Sequence, residues 1–499
     1  MGNTPAVPNN NQVHPLLINA VAGTAIPPFP LQEVPSLAPD LPGSDQRIAN
    51  SKHLGTDYSV HDPNDLTQAG WGILFASDAD PCIQAHLQPL IDLRKRQVQD
   101  PCLFKIFSGS TGVLPGQTAA SWAQQRGVSL TAPVNPYQGG VPFYLLIVGS
   151  PDRISFEFQA LLKMQWAVGR LYFDNVEDYG LYAQKVVEYE SKTFAPVQSK
   201  NTALWVTRNP GDLATAILCG LISQDFLAPS NMLGARRQFN LSPFMADKAT
   251  KAQLTEILRG NVAGGAPAVI FTGSHGCEYS AANPDTQRRM QGAFATQEWV
   301  PGTPASPTNV FSADDIPPDA KLQGTMGFLF ACFSGGCPVQ SSYYVLQDCT
   351  PVNIMPGPII ASLPQAMLSR GMLAMIAHVD MAFPYAFQDT NGTPQTGAVR
   401  TPLELLMGGK RAGLAADSLS IMWSARAAQL ALAQGQSPAG SAPVTNFYSP
   451  NPALGQMTIA RDDARNYIVL GDPATQLRVK DLKGTARHIS HFRTGDVRR

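Results

Sequence analysis

The sequence predicts an α/β protein built on a mostly parallel sheet that is buried on both faces. Short, nearly continuous apolar runs recur along the chain, such as WGILFA at 71–76 and FYLLIV at 143–148. Such runs are typical of strands that are covered on both sides. Between them lie stretches in which apolar residues recur at helical spacing, for example over 82–95. Strands that alternate with helices in this way predict βαβ units and a parallel sheet.

The individual elements follow in two groups. In the first group, the apolar runs predict strands at 71–76, 102–107 and 143–148, with a helix over 82–95. The pattern then starts again, and the second group has predicted strands at 203–207, 268–272, 326–332 and 372–379 and predicted helices near 211–222, 249–259, 358–370 and 415–434. We therefore expect two α/β units of similar build, side by side.

This pattern divides the 499 residues into four parts. Residues 1–57 form a Pro- and Asn-rich extended arm, and residues 58–195 form the first α/β unit. Residues 196–476 form the second unit, which contains a long insertion at 280–324. An irregular insertion of this length is either functional or disordered. Residues 477–499 carry seven Lys or Arg against two Asp, and we expect a solvated basic tail.

Composition narrows the function classes. The formal net charge is −1 and charged residues make up 15% of the chain, so the basic excess of a nucleic-acid-binding protein is missing. The N-terminus lacks the pattern of a secretory signal, and no run of apolar residues is long enough to span a membrane. Seven irregularly spaced cysteines are not typical of a disulfide framework. We expect a cytoplasmic protein with free thiols and with neither a nucleic-acid nor a membrane partner.

Chemically reactive residues follow two of the predicted strands. His275 and Gly276 come after the strand at 268–272, and Cys332 ends the strand at 326–332, 57 positions later. Ligands gather beyond the carboxyl ends of parallel strands, so the imidazole and the thiol meet if these strands are neighbours. A nearby imidazole raises the nucleophilic fraction of a thiol. The N–H groups of Gly276 and Cys332 are candidates for stabilising an oxyanion.

These residues resemble the caspase-like clan of cysteine peptidases, especially its gingipain-like and CHAT groups. The resemblance rests on SHG at 274–276, FACFSGG at 330–336 and RGMLAMIAHVD at 370–380. YIVLGDPATQLR at 467–478 is similar to the closing strand and turn of these groups, and residues 142–174 are similar to the unit that precedes the catalytic one in gingipain-like peptidases. The Gln-Ala-Cys-x-Gly signature of caspases is replaced by Phe-Ala-Cys-Phe-Ser-Gly, which points away from true caspases.

The resemblance implies a caspase-like three-layer α/β/α sandwich and a bacterial cysteine endopeptidase that acts on protein or peptide substrates without a cofactor or metal. It implies that Cys332 is the nucleophile, that His275 protonates the leaving amine, and that the Gly276 N–H lies in the oxyanion hole. Cleavage of the chain itself or of one dedicated partner fits this clan. Asp380 stands where some members place the carboxylate that binds a basic P1 residue, although a solvated strand-end aspartate is the alternative. No third catalytic group is identifiable in the sequence.

Other interpretations remain open at this stage. One is a non-catalytic interaction protein on the same fold, with the arm and the insertion as docking segments. Another is a zinc site formed by His275, Cys277, Cys332 and Cys337, although the His-x-Cys and Cys-x4-Cys spacings lack the usual knuckle. Cys277 is a less suitable nucleophile because it follows the same strand as His275. We expect His378 to be packed or hydrogen-bonded, and Asp472 to cap a turn.

Overall fold

A computed structural model describes most of the chain. The described residues are 12–13, 15–25, 29–30, 55–193, 195–279, 283–345, 351–387, 394, 396–435 and 452–484. The predicted arm at 1–57 is therefore described in part, and most of the predicted basic tail at 477–499 lies outside the described residues.

Ten strands form the main sheet, and we number them along the chain. They are β1 Trp71–Phe75, β2 Phe104–Phe107, β3 Tyr144–Val148, β4 Ala167–Leu171, β5 Ser199–Val206, β6 Asn240–Met245, β7 Pro267–Gly273, β8 Met326–Phe330, β9 Ala374–His378 and β10 Tyr467–Gly471. The eight inner strands are buried at nearly every position, so the sheet is covered on both faces. The predicted three-layer α/β fold class is confirmed.

The strands lie in the order β6, β5, β7, β8, β9, β10, β4, β3, β1, β2. Neighbours are parallel except for β9 and β10, which are antiparallel. β10 therefore joins the two predicted groups of strands into one mostly parallel sheet. The strands from β5 to β9 run in one direction, so their carboxyl ends share one edge. A single apolar core extends through both groups of strands.

Helices occupy most of the segments between the strands. They are Leu66–Ala69, Pro81–His86, Gln88–Val98, Ala119–Gln124, Phe156–Leu162, Glu177–Glu190, Leu213–Phe226, Lys251–Arg259, Pro284–Met290, Ser362–Ser369, Gly397–Met407, Ala412–Ala415, Asp417–Gly435 and Pro452–Arg465. The helix predicted over 82–95 is split in two at Leu87, because Pro89 starts a new helix instead of continuing the old one. Among the described helices, none is both long and apolar enough to cross a membrane.

A second, five-stranded sheet lies beside the carboxyl end of β7. Its strands are, in spatial order, Val310–Phe311, Phe294–Ala295, Gly276–Glu278, Leu17–Asn19 and Thr24–Ala25. Two of them come from the insertion at 280–324 and two from the predicted N-terminal arm. Ile18, Cys277 and Trp299 are among the residues of its small apolar cluster. The described part of the insertion is therefore packed structure that covers the end of β7.

A buried ion-pair cluster connects the turn after β10 to two helices. Asp472 caps its turn as predicted, because its Oδ1 accepts a hydrogen bond from the N–H of Ala474 at 3.0 Å. Its other oxygen accepts from Nε of Arg94 at 2.7 Å, and both side chains are fully buried. The Arg94 guanidinium also donates to Glu190 at the end of helix Glu177–Glu190. Its two carboxylate partners outweigh the effect of burial and raise the pKa of Arg94, so the guanidinium stays charged.

Candidate active site at the carboxyl ends of the strands

The strand register brings the two predicted catalytic segments side by side. Gly273, the last residue of β7, pairs with Phe330, the last residue of β8. His275 lies two positions after Gly273, and Cys332 lies two positions after Phe330. The N–H of Ser274 donates to the carbonyl of Phe330 at 3.1 Å, which continues the contact beyond the strands. The parallel neighbours assumed from the sequence are thus present.

Gly276 lies directly against the backbone of Cys332. A Cβ atom built on Gly276 would lie 1.8 Å from the carbonyl oxygen of Cys332 and 2.7 Å from its carbonyl carbon. Carbon atoms do not approach this closely, so any side chain at position 276 would force the two segments apart. The glycine is required here by the close approach of two backbones.

His275 makes a buried contact that the sequence did not reveal. Its Nε2 lies 2.9 Å from Oδ2 of Asp212, and the imidazole has no exposed surface. Asp212 is the N-cap of helix Leu213–Phe226, which follows β5, and it accepts hydrogen bonds from the N–H and the hydroxyl of Thr215. Burial opposes ionisation of Asp212, but His275 and Thr215 outweigh it and hold the pKa of this carboxyl well below its ordinary value.

This contact fixes the orientation of the imidazole ring. Because a carboxylate only accepts hydrogen bonds, Nε2 of His275 carries the proton that is shared with Asp212. Nδ1 is buried and has no hydrogen-bond partner among the described residues. The ring of Trp299 packs edge-on against the imidazole, with 5.5 Å between the centroids. Asp212 therefore fixes Nε2, the ring of Trp299 packs against the imidazole, and Nδ1 carries the lone pair.

Cys332 is also fully buried, but its thiol has different partners. Sγ accepts a hydrogen bond from the N–H of Ala382 at 3.1 Å and lies 3.6 Å from the carbonyl oxygen of the same residue. Among the described residues, no hydrogen bond joins this sulfur to His275. Burial raises the pKa of the thiol well above its ordinary value, and the charges of Asp380 and Asp463 add to the rise. In this arrangement the sulfur is a thiol.

The turn after Cys332 is strained and is held by the neighbouring strand. Phe333 has a φ of 56°, which is costly for a residue with a side chain. Its N–H donates to the carbonyl of Asp380 at 2.9 Å, and the N–H of Gly335 donates to the carbonyl of His378 at 2.8 Å. The segment that follows β9 thus fixes the position of Cys332. Strain of this kind is concentrated at functional sites.

Asp380 lies in this supporting segment and is 2% exposed. Its carboxylate accepts hydrogen bonds from the Ser341 hydroxyl at 2.6 Å, from Ser342 N–H at 3.0 Å and from Met381 N–H at 2.8 Å. Burial raises the pKa of Asp380 in spite of these contacts. The residue is neither solvated nor unpartnered, and its role in binding a basic P1 side chain stays a prediction.

The other candidate residues are packed in the interior. The ring nitrogens of His378 lie 2.8 Å from the carbonyl of Asp380 and 3.1 Å from that of Asp463, so this histidine is hydrogen-bonded as expected. Cys277 lies in the apolar cluster of the small sheet, and Sγ of Cys337 lies 3.5 Å from Nε2 of Gln291. Burial raises the pKa of both thiols. Within the described ranges, no three His, Cys, Asp or Glu residues are grouped to hold a metal ion.

Residues 15–25, which we call the N-terminal segment, lie at this site. The N–H of Leu16 donates to the carbonyl of Ala382 at 3.1 Å, and the carbonyl of Leu16 accepts from the N–H of Gly276 at 2.8 Å. Leu17–Asn19 then pairs in parallel with Gly276–Glu278. Leu16, Leu17 and Ile18 have no exposed surface, and each such side chain stabilises the packed state by roughly 1.5–3 kcal/mol.

Two features of the site had signals that sequence reasoning did not use. Asp212 precedes a helix and is followed three positions later by Thr215, which is a pattern typical of an N-cap after a strand. The Leu-Leu-Ile run at 16–18 is apolar inside a polar, Pro-rich region. Neither signal gives the long-range partner, because Asp212 is 63 residues from His275 along the chain.

Comparisons with known proteins give structural matches at low identity and low TM-score. No family model and no curated protein matches the sequence. A solved structure described as that of a protease is 11% identical, with a TM-score of 0.46, and the match covers 82% of this chain and 78% of that one. The separase–securin complex of Saccharomyces cerevisiae is 12% identical, with a TM-score of 0.29, over 66% of this chain and 15% of that one. At these identities and TM-scores the matches carry no argument about activity, which has to be inferred from the residues of this chain.

Proposed function

We propose that this protein is a cysteine endopeptidase of the caspase-like clan, with Cys332 as the nucleophile and His275 as the general acid and base. The observation that carries the proposal is the buried Asp212–His275 pair, because His275 precedes Gly276, whose backbone packs directly against that of Cys332. Asp212 acts as a positioning residue that orients the imidazole. It supplies the third group that the sequence left unidentified.

The reaction follows from these roles. His275 accepts the proton of the Cys332 thiol, and the sulfur attacks the carbonyl carbon of the scissile peptide. The Gly276 N–H stabilises the negative charge on the carbonyl oxygen. His275 then gives its proton to the leaving amine, and water hydrolyses the thioester and restores the thiol. Asp212 stabilises the imidazolium that forms in between, as a buried carboxylate does beside a catalytic histidine.

The raised pKa of the Cys332 thiol sets a condition on this mechanism. A buried thiol without an imidazole partner is a poor nucleophile. Catalysis therefore requires that the sulfur leave the backbone of Ala382 and that Nδ1 of His275 become its partner. Catalytic hydrogen bonds that form only in the substrate complex are common in apo enzymes.

Peptide cleavage tests this proposal. We expect Cys332→Ala and His275→Ala each to abolish cleavage of a peptide library that varies at P1. Cys337→Ala is a matched control, because this cysteine is equally buried and lies five positions from Cys332. If cleavage survives in Cys332→Ala but is lost in Cys337→Ala, Cys332 is not the nucleophile and the proposal is wrong.

A non-catalytic interaction protein on the same fold is the second candidate. Two observations favour it. His275 is hydrogen-bonded to Asp212 and Cys332 to the backbone of Ala382, and both side chains are fully buried. An electrophilic peptide probe separates the two candidates. In a peptidase the rate at which the probe labels Cys332 depends on the imidazole, so His275→Ala slows it, whereas in an interaction protein the rate is the same with and without His275.

A further inference from the structure

The N-terminal segment bridges the two strands that flank Cys332. β8, which leads to Cys332, lies between β7 and β9 in the sheet. Leu16 contacts Gly276 beyond the end of β7 through its carbonyl and Ala382 beyond the end of β9 through its N–H. Its backbone therefore crosses the carboxyl end of β8.

The two hydrogen bonds of Leu16 use groups that an extended substrate needs. The carbonyl of Leu16 takes the Gly276 N–H, which is the donor proposed for the oxyanion. Its N–H takes the same Ala382 carbonyl that lies 3.6 Å from Sγ of Cys332. A peptide bound for cleavage must present its carbonyl to the oxyanion donor and its backbone to the neighbouring strand ends. Leu16 meets both requirements.

From this placement we propose that the N-terminal segment occupies the substrate-binding site as a substrate-like strand of this chain, so that the resting protein inhibits itself and its site selects an apolar residue at the position of Leu16. This inference rests on the proposed peptidase function. The segment is held by side chains beyond the site, because Ile18 packs in the cluster that contains Cys277 and Trp299. Release of the segment exposes Gly276 N–H and opens the region above Cys332 to water and peptide.

A substitution at Ile18 tests the occupancy without touching the catalytic residues. Ile18→Asp places a charge in the apolar cluster and displaces the segment. We expect iodoacetamide to label Cys332 at least about tenfold faster in this variant, as read by peptide mass spectrometry. Val21→Asp is the matched control, because Val21 lies in the turn of the same segment and is 59% exposed. Equal labelling rates in a folded Ile18→Asp variant and in the wild type would overturn the occupancy.

Peptide hydrolysis measured on the same variants separates this inference from the proposed function. Faster labelling together with faster hydrolysis supports both. Faster labelling without hydrolysis supports occupancy by the segment and contradicts the peptidase. If the wild type hydrolyses peptide and Ile18→Asp does so at the same rate, the peptidase is supported and self-inhibition is contradicted. Among cleaved peptides we expect Leu at the position of Leu16 to be favoured over Arg by at least about tenfold, and a preference for Arg would overturn the apolar selection.

A measurement on the unaltered chain covers the case in which Ile18→Asp does not fold. Hydrogen exchange is followed in wild-type protein before and after partial labelling of Cys332. If the segment blocks the thiol, labelled molecules must have lost amide protection over residues 16–20. Labelled molecules that keep this protection would overturn the proposal.

Discussion

Gly276→Ala tests the close approach of the two catalytic segments. The added Cβ would lie 1.8 Å from the Cys332 carbonyl oxygen, whereas such contacts essentially never fall below 3.0 Å. The segments must therefore separate by about 1.2 Å, the difference between these two distances. Both are buried backbone that neighbouring strands hold in place, so the strain has no flexible side chain to absorb it. We expect a loss of about 3 kcal/mol in the free energy of unfolding, the upper end for overpacking of a core.

Gly273→Ala is the matched control for this experiment. Its Cβ would meet side-chain methyl groups of Leu218 and Val206 at 3.0 Å and 3.3 Å, and these can move slightly. We expect it to cost about 1 kcal/mol or less. Urea unfolding at pH 7 measures both variants, and peptide hydrolysis should fall about 100-fold in Gly276→Ala because the nucleophile is displaced by about 1 Å. A Gly276→Ala variant as stable as Gly273→Ala would refute the packing of these segments.

Three further predictions concern buried charges. Asp212→Asn should lower the free energy of unfolding at pH 7 by about 2 kcal/mol and reduce hydrolysis, because a charged acceptor of several hydrogen bonds is lost. The folded-state pKa of Asp212 is depressed, so its contribution is present above about pH 4 and is lost as the pH falls further. The difference from wild type in urea melts should therefore shrink at about pH 3, and a constant difference would contradict a buried, hydrogen-bonded carboxylate at this position. Arg94→Met should lower the free energy of unfolding by about 3–5 kcal/mol, because it leaves the buried carboxylates of Asp472 and Glu190 without their partner. Arg153→Ala breaks a half-exposed pair and should lower it by less than about 1 kcal/mol in the same thermal and urea melts. Similar losses in the two variants would contradict the role of burial. Asp380→Asn should lower the free energy of unfolding by about 2 kcal/mol, because an amide group would face backbone and hydroxyl donors. Unchanged stability together with a selective loss of cleavage after Arg or Lys would instead favour a role in P1 binding.

Six of the eight inner strands were predicted from sequence, because burial on both faces leaves a continuous apolar run. Inner strand β4 was missed, since Arg170 breaks its apolar run, and β10 was indicated by the family resemblance. The predicted runs at 143–148, 268–272 and 326–332 overlap β3, β7 and β8 nearly residue for residue. The edge strand β6 was also missed, since its residues are half-buried and it contains Pro243. Proline is tolerated in an edge strand, where one side of the ladder is free, but in a sequence it argues against a strand.

The site was predictable in part for a similar reason. His275 and Cys332 were found because each follows a recognisable strand, and parallel pairing puts consecutive strand ends together. Which way a buried side chain turns depends on packing that no local pattern encodes. The hydrogen bond from His275 to Asp212 and the crossing of Leu16 over β8 are contacts between distant parts of the chain, 63 residues apart in the first case. They became visible only once the fold was known.

Covalent trapping of the nucleophile is the most direct test of the central claim that Cys332 is the catalytic residue of a peptidase. The Ile18→Asp chain is incubated with a peptidyl chloromethyl ketone that carries Leu next to the electrophile. The sulfur displaces chloride and forms a stable thioether, and the modified residue is located by mass spectrometry. We predict a stoichiometric adduct on Cys332 that His275→Ala, added to the same chain, greatly slows. An adduct confined to exposed Cys82 and Cys102, or labelling of Cys332 at the same rate without His275, would contradict it.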